Sequence, residues 1–184
     1  MISFKKLYCG IGKSEINQHE ICITGYPFKP SIAFPNKNIK ASEIDAISID
    51  FGTCKILTQN DIIFVSAENK ERLKKFSLEN NIKLIPHSWN WDWLLEPYLD
   101  TEFTTINTQK TTQKLLANGF SETKIQEIRT EIASQMYKYN SLLWEWCSLG
   151  LADVLSAMRA KYNDKKFTAF YKKAIEIEKQ GTSH

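Results

Sequence analysis

The sequence predicts an α+β protein in which a mostly antiparallel β part with one helix precedes a bundle of three or four helices. Short runs rich in β-branched and aromatic residues recur through the first part of the chain. A segment rich in tryptophan and acid follows, and the remainder carries apolar residues every three or four positions. We therefore expect a β-rich domain with a closing helix at 1–85, a structured connector at 86–106 and a helical domain at 107–184.

Length and composition indicate a folded globular chain. The 184 residues include 42% hydrophobic and 24% charged positions, a balance that disordered and collagen-like chains do not have. No run of about 18 uncharged apolar residues occurs, so we expect no membrane-spanning segment. The net charge of +3 is too small to indicate a nucleic-acid-binding protein by itself.

Six short runs in the first part predict strands, because they are rich in β-formers and separated by glycine, proline and asparagine. Apolar and polar residues alternate from Ile47 to Asp50, as in a half-buried strand. The turn formers at 59–61 predict a tight hairpin. The predicted strands are 4–9, 20–26, 31–34, 44–51, 54–58 and 62–65.

One helix and one more strand complete the predicted β-rich domain. Ser66 is suited to cap the helix, Leu73 and Phe76 face inward, and a pair of asparagines ends it. Residues 82–85 then predict a short strand before a proline.

This order of elements resembles the pleckstrin-homology-like layout, in which antiparallel strands form a small barrel that a terminal helix closes. The resemblance is one of topology and carries no motif. It implies a barrel within residues 1–85.

The second part of the chain predicts helices. A helix at 108–118 ends before Gly119, and Ser121 is suited to cap the next one. Residues 142–158 are apolar almost all round, which predicts one central helix. The last helix is amphipathic, with these inward positions: Phe167, Phe170, Tyr171, Ala174 and Ile175.

The connector is the most unusual part of the sequence, because it combines three tryptophans with several acids. Indole faces beside carboxylates suit the binding of cationic or sugar-like ligands. A carboxyl group against an indole can also act as a general acid, and acidic groups collect divalent metals. The candidate ligand-binding residues are His87, Trp89, Trp91, Asp92, Glu96, Asp100 and Glu102, together with Glu145 from the predicted central helix.

A structural interpretation of the same residues competes with the binding site. In it the tryptophans form the seam between the β part and the helical part, because large aromatics mainly supply buried area. The acids then face solvent or pair with residues 159–184, where seven basic residues outnumber three acidic ones.

The cysteines predict no metal or cofactor site. Cys9, Cys22, Cys54 and Cys147 are widely spaced, whereas structural zinc sites place their ligands in close pairs. This spacing, and an N-terminus without a secretion-signal pattern, lead us to expect reduced thiols and a cytoplasmic protein.

The function that the sequence favours is a non-catalytic, cytoplasmic binding or regulatory protein with a protein or small-molecule partner. No nucleophile, base and orienting group stand at a recognisable spacing. The alternative is a hydrolase that uses the carboxylate cluster, with or without a metal. A third hypothesis, which the modest charge disfavours, is a nucleic-acid-binding adaptor that uses the basic C-terminal helix.

Overall fold

A computed structural model describes residues 7–99, 105–143 and 148–181. The chain divides into two compact units. The sheet unit is Gly10–His87, and the helical unit contains the described residues from Ser88 onward together with those before Gly10. Strands in the first unit and helices in the second confirm the α+β class predicted from the sequence.

The first sheet of the sheet unit has three antiparallel strands in the order β1-β2-β3. These are β1 at Lys13–Ile16, β2 at Glu20–Thr24 and β3 at Asn36–Lys40. Gly12, which precedes β1, has φ of 77°, and a Cβ there would lie 2.6 Å from the carbonyl oxygen of Thr24. Only glycine fits this turn without moving the neighbouring strand.

The second sheet has four strands in the order β6-β5-β4-β7. They are β4 at Ala46–Ser48, β5 at Cys54–Leu57, β6 at Ile62–Val65 and β7 at Lys83–Leu84. The hairpin predicted at 59–61 joins β5 and β6, and β7 pairs with β4 in parallel.

The barrel of the pleckstrin-homology-like layout is wrong for this chain. Over residues 7–99 the strands form two separate sheets and do not close. The helix is also not terminal, because the chain leaves it to add β7 to the edge of the second sheet.

The segment between β2 and β3 is irregular because a buried carboxylate holds it. Asp61 Oδ2 accepts hydrogen bonds from Ser31 Oγ at 2.6 Å and from the backbone N–H of Ile32 at 2.9 Å. Its Oδ1 accepts from the N–H of Ile62 at 2.8 Å. The strand predicted at 31–34 is wrong, because the Asp61 carboxylate accepts the backbone N–H of Ile32, which would otherwise be available to a neighbouring strand. The one predicted at 4–9 is wrong at 7–9, and its earlier residues lie outside the described ones.

Helix α1 at Lys70–Glu79 follows a short 3-10 turn at Ala67–Asn69. Ser66 caps this turn as predicted, its Oγ accepting from the N–H of Glu68 at 3.4 Å. Leu73 and Phe76 are buried, which confirms the inward face of the helix.

The helical unit contains five further helices within the described ranges. They are α2 at Asn90–Leu95, α3 at Thr105–Ala117, α4 at Glu122–Leu143, α5 at Leu151–Lys161 and α6 at Asp164–Lys179, with a 3-10 turn at Glu96–Tyr98 after α2. In this part of the chain no helix combines the length and hydrophobicity needed to cross a bilayer.

The single central helix predicted at 142–158 is wrong, because residues 148–150 are not helical and α5 begins anew at Leu151. The Asp153 carboxylate accepts from the N–H of Gly150 at 2.8 Å and from the Tyr139 hydroxyl at 2.9 Å. This capping contact stabilises a new helix start. Residues 144–147 lie outside the described residues.

Among the described residues of the helical unit, Trp91 is the largest fully buried side chain, with 0% exposure. Its indole Nε1–H donates to the carbonyl oxygen of Ala174 at 3.0 Å. Its ring centroid lies 6.4 Å from that of Phe170. All five predicted inward residues of α6, which include Ala174 and Phe170, are buried. Helices α6 and α2 therefore share one core.

We therefore expect Trp91→Ala to lower the free energy of unfolding by about 3–5 kcal/mol, the usual cost of removing a large buried aromatic. Trp89→Ala is the matched control, because Trp89 is 40% exposed and its loss leaves a smaller cavity. Urea denaturation of both variants measures the difference. Equal stability of the two variants would contradict this packing.

Candidate functional site

Helix α2 and the turn after it divide the tryptophan-rich segment between two faces. The inward residues Asn90, Trp91, Leu94, Leu95 and Tyr98 are buried. The other face carries residues spaced three and four apart, which form one stripe on a helix. This accessible face, the Trp–acid stripe, consists of Trp89, Asp92, Trp93 and Glu96.

The buried face is held by hydrogen bonds to the C-terminal end of α6. The Asn90 amide donates from Nδ2 to the carbonyls of Ile177 at 2.8 Å and Gln180 at 2.7 Å. Its Oδ1 accepts from Asn118 Nδ2 at 2.8 Å. Ser88 Oγ donates to the carbonyl of Glu178 at 2.8 Å. The last carbonyls of a helix lack partners within the helix, so these side chains satisfy them.

The accessible face presents two indoles beside two carboxylates. Trp89 is 40% exposed, and Asp92, Trp93 and Glu96 are half-buried. The ammonium of Lys114, on α3, lies 5.1 Å from the ring centroid of Trp93. This distance is within the range of a cation–π interaction, so the stripe already contacts one cation.

The C-terminal end of the stripe is fixed by α3 and α4. Glu96 Oε2 accepts from Thr111 Oγ1 at 3.3 Å. The Arg129 guanidinium donates to the carbonyls of Trp93 at 3.0 Å and Leu94 at 3.3 Å. Burial lowers the pKa of Arg129, and the negative potential of Tyr98 and Glu96 opposes that shift. A guanidinium stays protonated at neutral pH, so Arg129 supports the end of α2 as a cation.

The structure brings together only some of the residues predicted for the site. Trp89, Asp92 and Glu96 lie on the Trp–acid stripe, whereas Trp91 lies on the buried face. His87 belongs to the sheet unit. The remaining predicted residues, Asp100, Glu102 and Glu145, lie outside the described residues.

Within the sheet unit His87 contacts two neighbours. Its Nδ1 lies 3.4 Å from the Lys55 ammonium, and its ring centroid lies 5.1 Å from that of Phe51. Lys55 is 6% exposed, and its contact with His87 is partly buried.

Three residues of the site were not among the predicted ligand-binding candidates, although Trp93 is one of the three tryptophans of the connector. Trp93 follows Trp89 by four positions, so a helical projection of the connector would have placed the two on one face. Lys114 and Arg129 come from helices that follow the connector in sequence. No local pattern connects either of them to α2.

Within the described ranges, no group of three or more His, Cys, Asp or Glu side chains is arranged to hold a metal ion. The described cysteines Cys9, Cys22 and Cys54 are free thiols. Burial raises the pKa of the Cys54 thiol, which favours its protonated form.

Comparison with known proteins yields no match: no protein-family model, curated protein or solved structure is detectably similar to this chain. The chemistry of the Trp–acid stripe is therefore inferred from its own side chains.

Tyr98, on the buried face of the turn after α2, makes the stability of the fold depend on pH in the alkaline range. Its hydroxyl donates to the carbonyl of Arg129 at 2.7 Å, and its ring is 5% exposed. Burial, followed by the potential of Tyr137, raises the pKa of Tyr98 to about 12. Since the unfolded tyrosine ionises near pH 10, Tyr98 stabilises the fold fully below pH ~10 and loses this contribution as pH approaches ~12.

We expect Tyr98→Phe to cost about 1 kcal/mol near neutral pH, because one hydrogen bond is lost. Above pH ~10 the free energy of unfolding of the wild type should fall by up to about 2–3 kcal/mol more than that of the variant, because only the wild type has the Tyr98 hydroxyl to ionise. Urea melts at several pH values measure both slopes. Parallel slopes up to pH ~12 would show that Tyr98 is not shielded in the folded state.

Proposed function

We propose that this protein is a non-catalytic binding protein whose helical unit binds an organic cation on the Trp–acid stripe. The cation is presented by a small-molecule or protein partner. Indole faces attract cations through the ring quadrupole, and neighbouring carboxylates add charge attraction.

The main support for this proposal is that the two faces of α2 have different roles. Its buried face is committed to structural hydrogen bonds, in particular those of Asn90 and Trp91. The opposite stripe is thereby held on a rigid element with Trp89 accessible. Preorganised side chains lose little conformational entropy on binding, which favours recognition.

The contact between Lys114 and Trp93 is a second line of support. The Lys114 side chain is exposed, and its ammonium lies over the ring at 5.1 Å. An incoming cation either displaces this internal one from Trp93 or binds beside it, against Trp89 and Asp92. Lys114 therefore competes with the ligand in this proposal.

We propose that the protein acts in the cytoplasm. The free thiols of Cys9, Cys22 and Cys54 support this location, because reducing compartments maintain thiols.

We expect tetramethylammonium chloride and a lysine-rich peptide to shift the NMR resonances of the stripe in a saturable way, relative to sodium chloride at equal ionic strength. Trp89→Ala should weaken this binding about two- to thirtyfold, as a cation–π contact is worth about 0.5 kcal/mol when exposed and about 2 kcal/mol when desolvated. Lys114→Met should strengthen it, since the internal competitor is gone.

Leu116→Ala is the matched control, because Leu116 is 37% exposed on α3 and lies outside the stripe. It should leave cation binding unchanged. If sodium chloride produces the same shifts, or if Trp89→Ala binds both probes as the wild type does, the proposal is wrong.

A further inference from the structure

The sheet unit contains a cleft of about 390 Å³ between the β1–β2 turn and helix α1. Residues 16–18 form one wall, and the other is a single stripe of α1. On that stripe Arg72, Lys75, Phe76 and Glu79 follow one another at intervals of three, one and three residues. The volume lies within the range of small-molecule binding sites.

The two walls of the cleft are tied together by Asn80, which directly follows α1. Its Nδ2 donates to the carbonyls of Gln18 and Phe76, each at 2.9 Å. Its Oδ1 accepts from His19 Nδ1 at 3.1 Å. Phe76, only 2% exposed, forms an apolar base. The cleft is therefore held in shape by contacts that leave its charged side chains available.

The charge of the cleft is positive, because Arg72 and Lys75 face one acid, Glu79. Arg72 forms no ion pair with a described residue. The Lys75 ammonium lies 3.7 Å from the Glu79 carboxylate, and their side chains are 77% and 47% exposed. An exposed pair four residues apart on a helix is weak, so an anionic ligand can compete for Lys75.

We propose that this cleft binds a small organic molecule through a phosphate monoester group. A phosphate monoester carries nearly two negative charges at neutral pH and three acceptor oxygens. The planar guanidinium of Arg72 is suited to two of those oxygens, and the Lys75 ammonium acts as a point charge beside them.

The size of the cleft indicates that the ligand is larger than a phosphate group. A water molecule occupies about 30 Å³ of liquid volume, and a phosphate group is a few times larger, so a lone phosphate leaves most of the cleft unfilled. Asn17 and Gln18, which carry side-chain amides, line the cleft together with Phe76. They suit a polar organic group that both donates and accepts hydrogen bonds.

The test is an NMR titration of the full chain with glycerol 3-phosphate, inorganic phosphate and succinate. We expect saturable shifts at 16–18 and along α1, with glycerol 3-phosphate binding more tightly than inorganic phosphate and succinate binding most weakly. Arg72→Gln should weaken glycerol 3-phosphate binding about tenfold or more, the cost of a charge-assisted hydrogen bond. Glu79→Gln should strengthen it by releasing Lys75.

Lys74→Gln is the matched control, since it removes the same charge from an exposed position of α1 that does not line the cleft. Thermal melts verify that each variant is folded. The proposal is overturned if no probe gives saturable shifts at millimolar concentration, if Lys74→Gln weakens binding as much as Arg72→Gln, or if succinate binds as tightly as the phosphates.

Discussion

The helical unit depends on the hydrogen bonds that residues 88–91 donate to the C-terminal end of α6. A helix ends with carbonyl groups that lack partners, and burying them unpaired costs free energy. Here Asn90 donates to the carbonyls of Ile177, which also accepts from the Gln180 N–H, and of Gln180, and it accepts from Asn118. Ser88 donates to the carbonyl of Glu178 at the same end, and the Trp91 indole donates to the carbonyl of Ala174 inside the helix. Because Asn90 is fully buried, every one of its bonds fixes the position of α2 between α6 and the turn after α3.

The accessible stripe follows from that constraint. Once Asn90 and Trp91 face the core, the helical period turns Trp89, Asp92 and Trp93 the other way. The same segment therefore serves as an anchor on one face and presents indoles and carboxylates on the other. In the sheet unit the β1–β2 turn and α1 present the opposite charge, with Arg72 at an open cleft. We interpret the two units as binding elements for groups of opposite charge.

The sequence predicts correctly those elements that are determined by residues close to one another in the chain. The inward face of α6 and the cap of the turn before α1 were predicted correctly, because spacing and capping chemistry act within a few residues. Strands β1 and β3 were missed because KSEI and NKNIK have few β-formers, and pairing with β2 supplies their order. The role of Asn90 has no local signal, since its carbonyl partners are 87 and 90 residues away.

Hydrogen exchange in Asn90→Ala tests the anchor most directly. We predict that the variant stays folded while the amides at the end of α6, near Ile177, and in the turn near Gly119 exchange faster. Amides of β5 and β6 in the sheet unit serve as the internal reference and should keep their protection. Unchanged protection at the end of α6, or an equal loss of protection at every amide of the chain, would contradict the central role of Asn90.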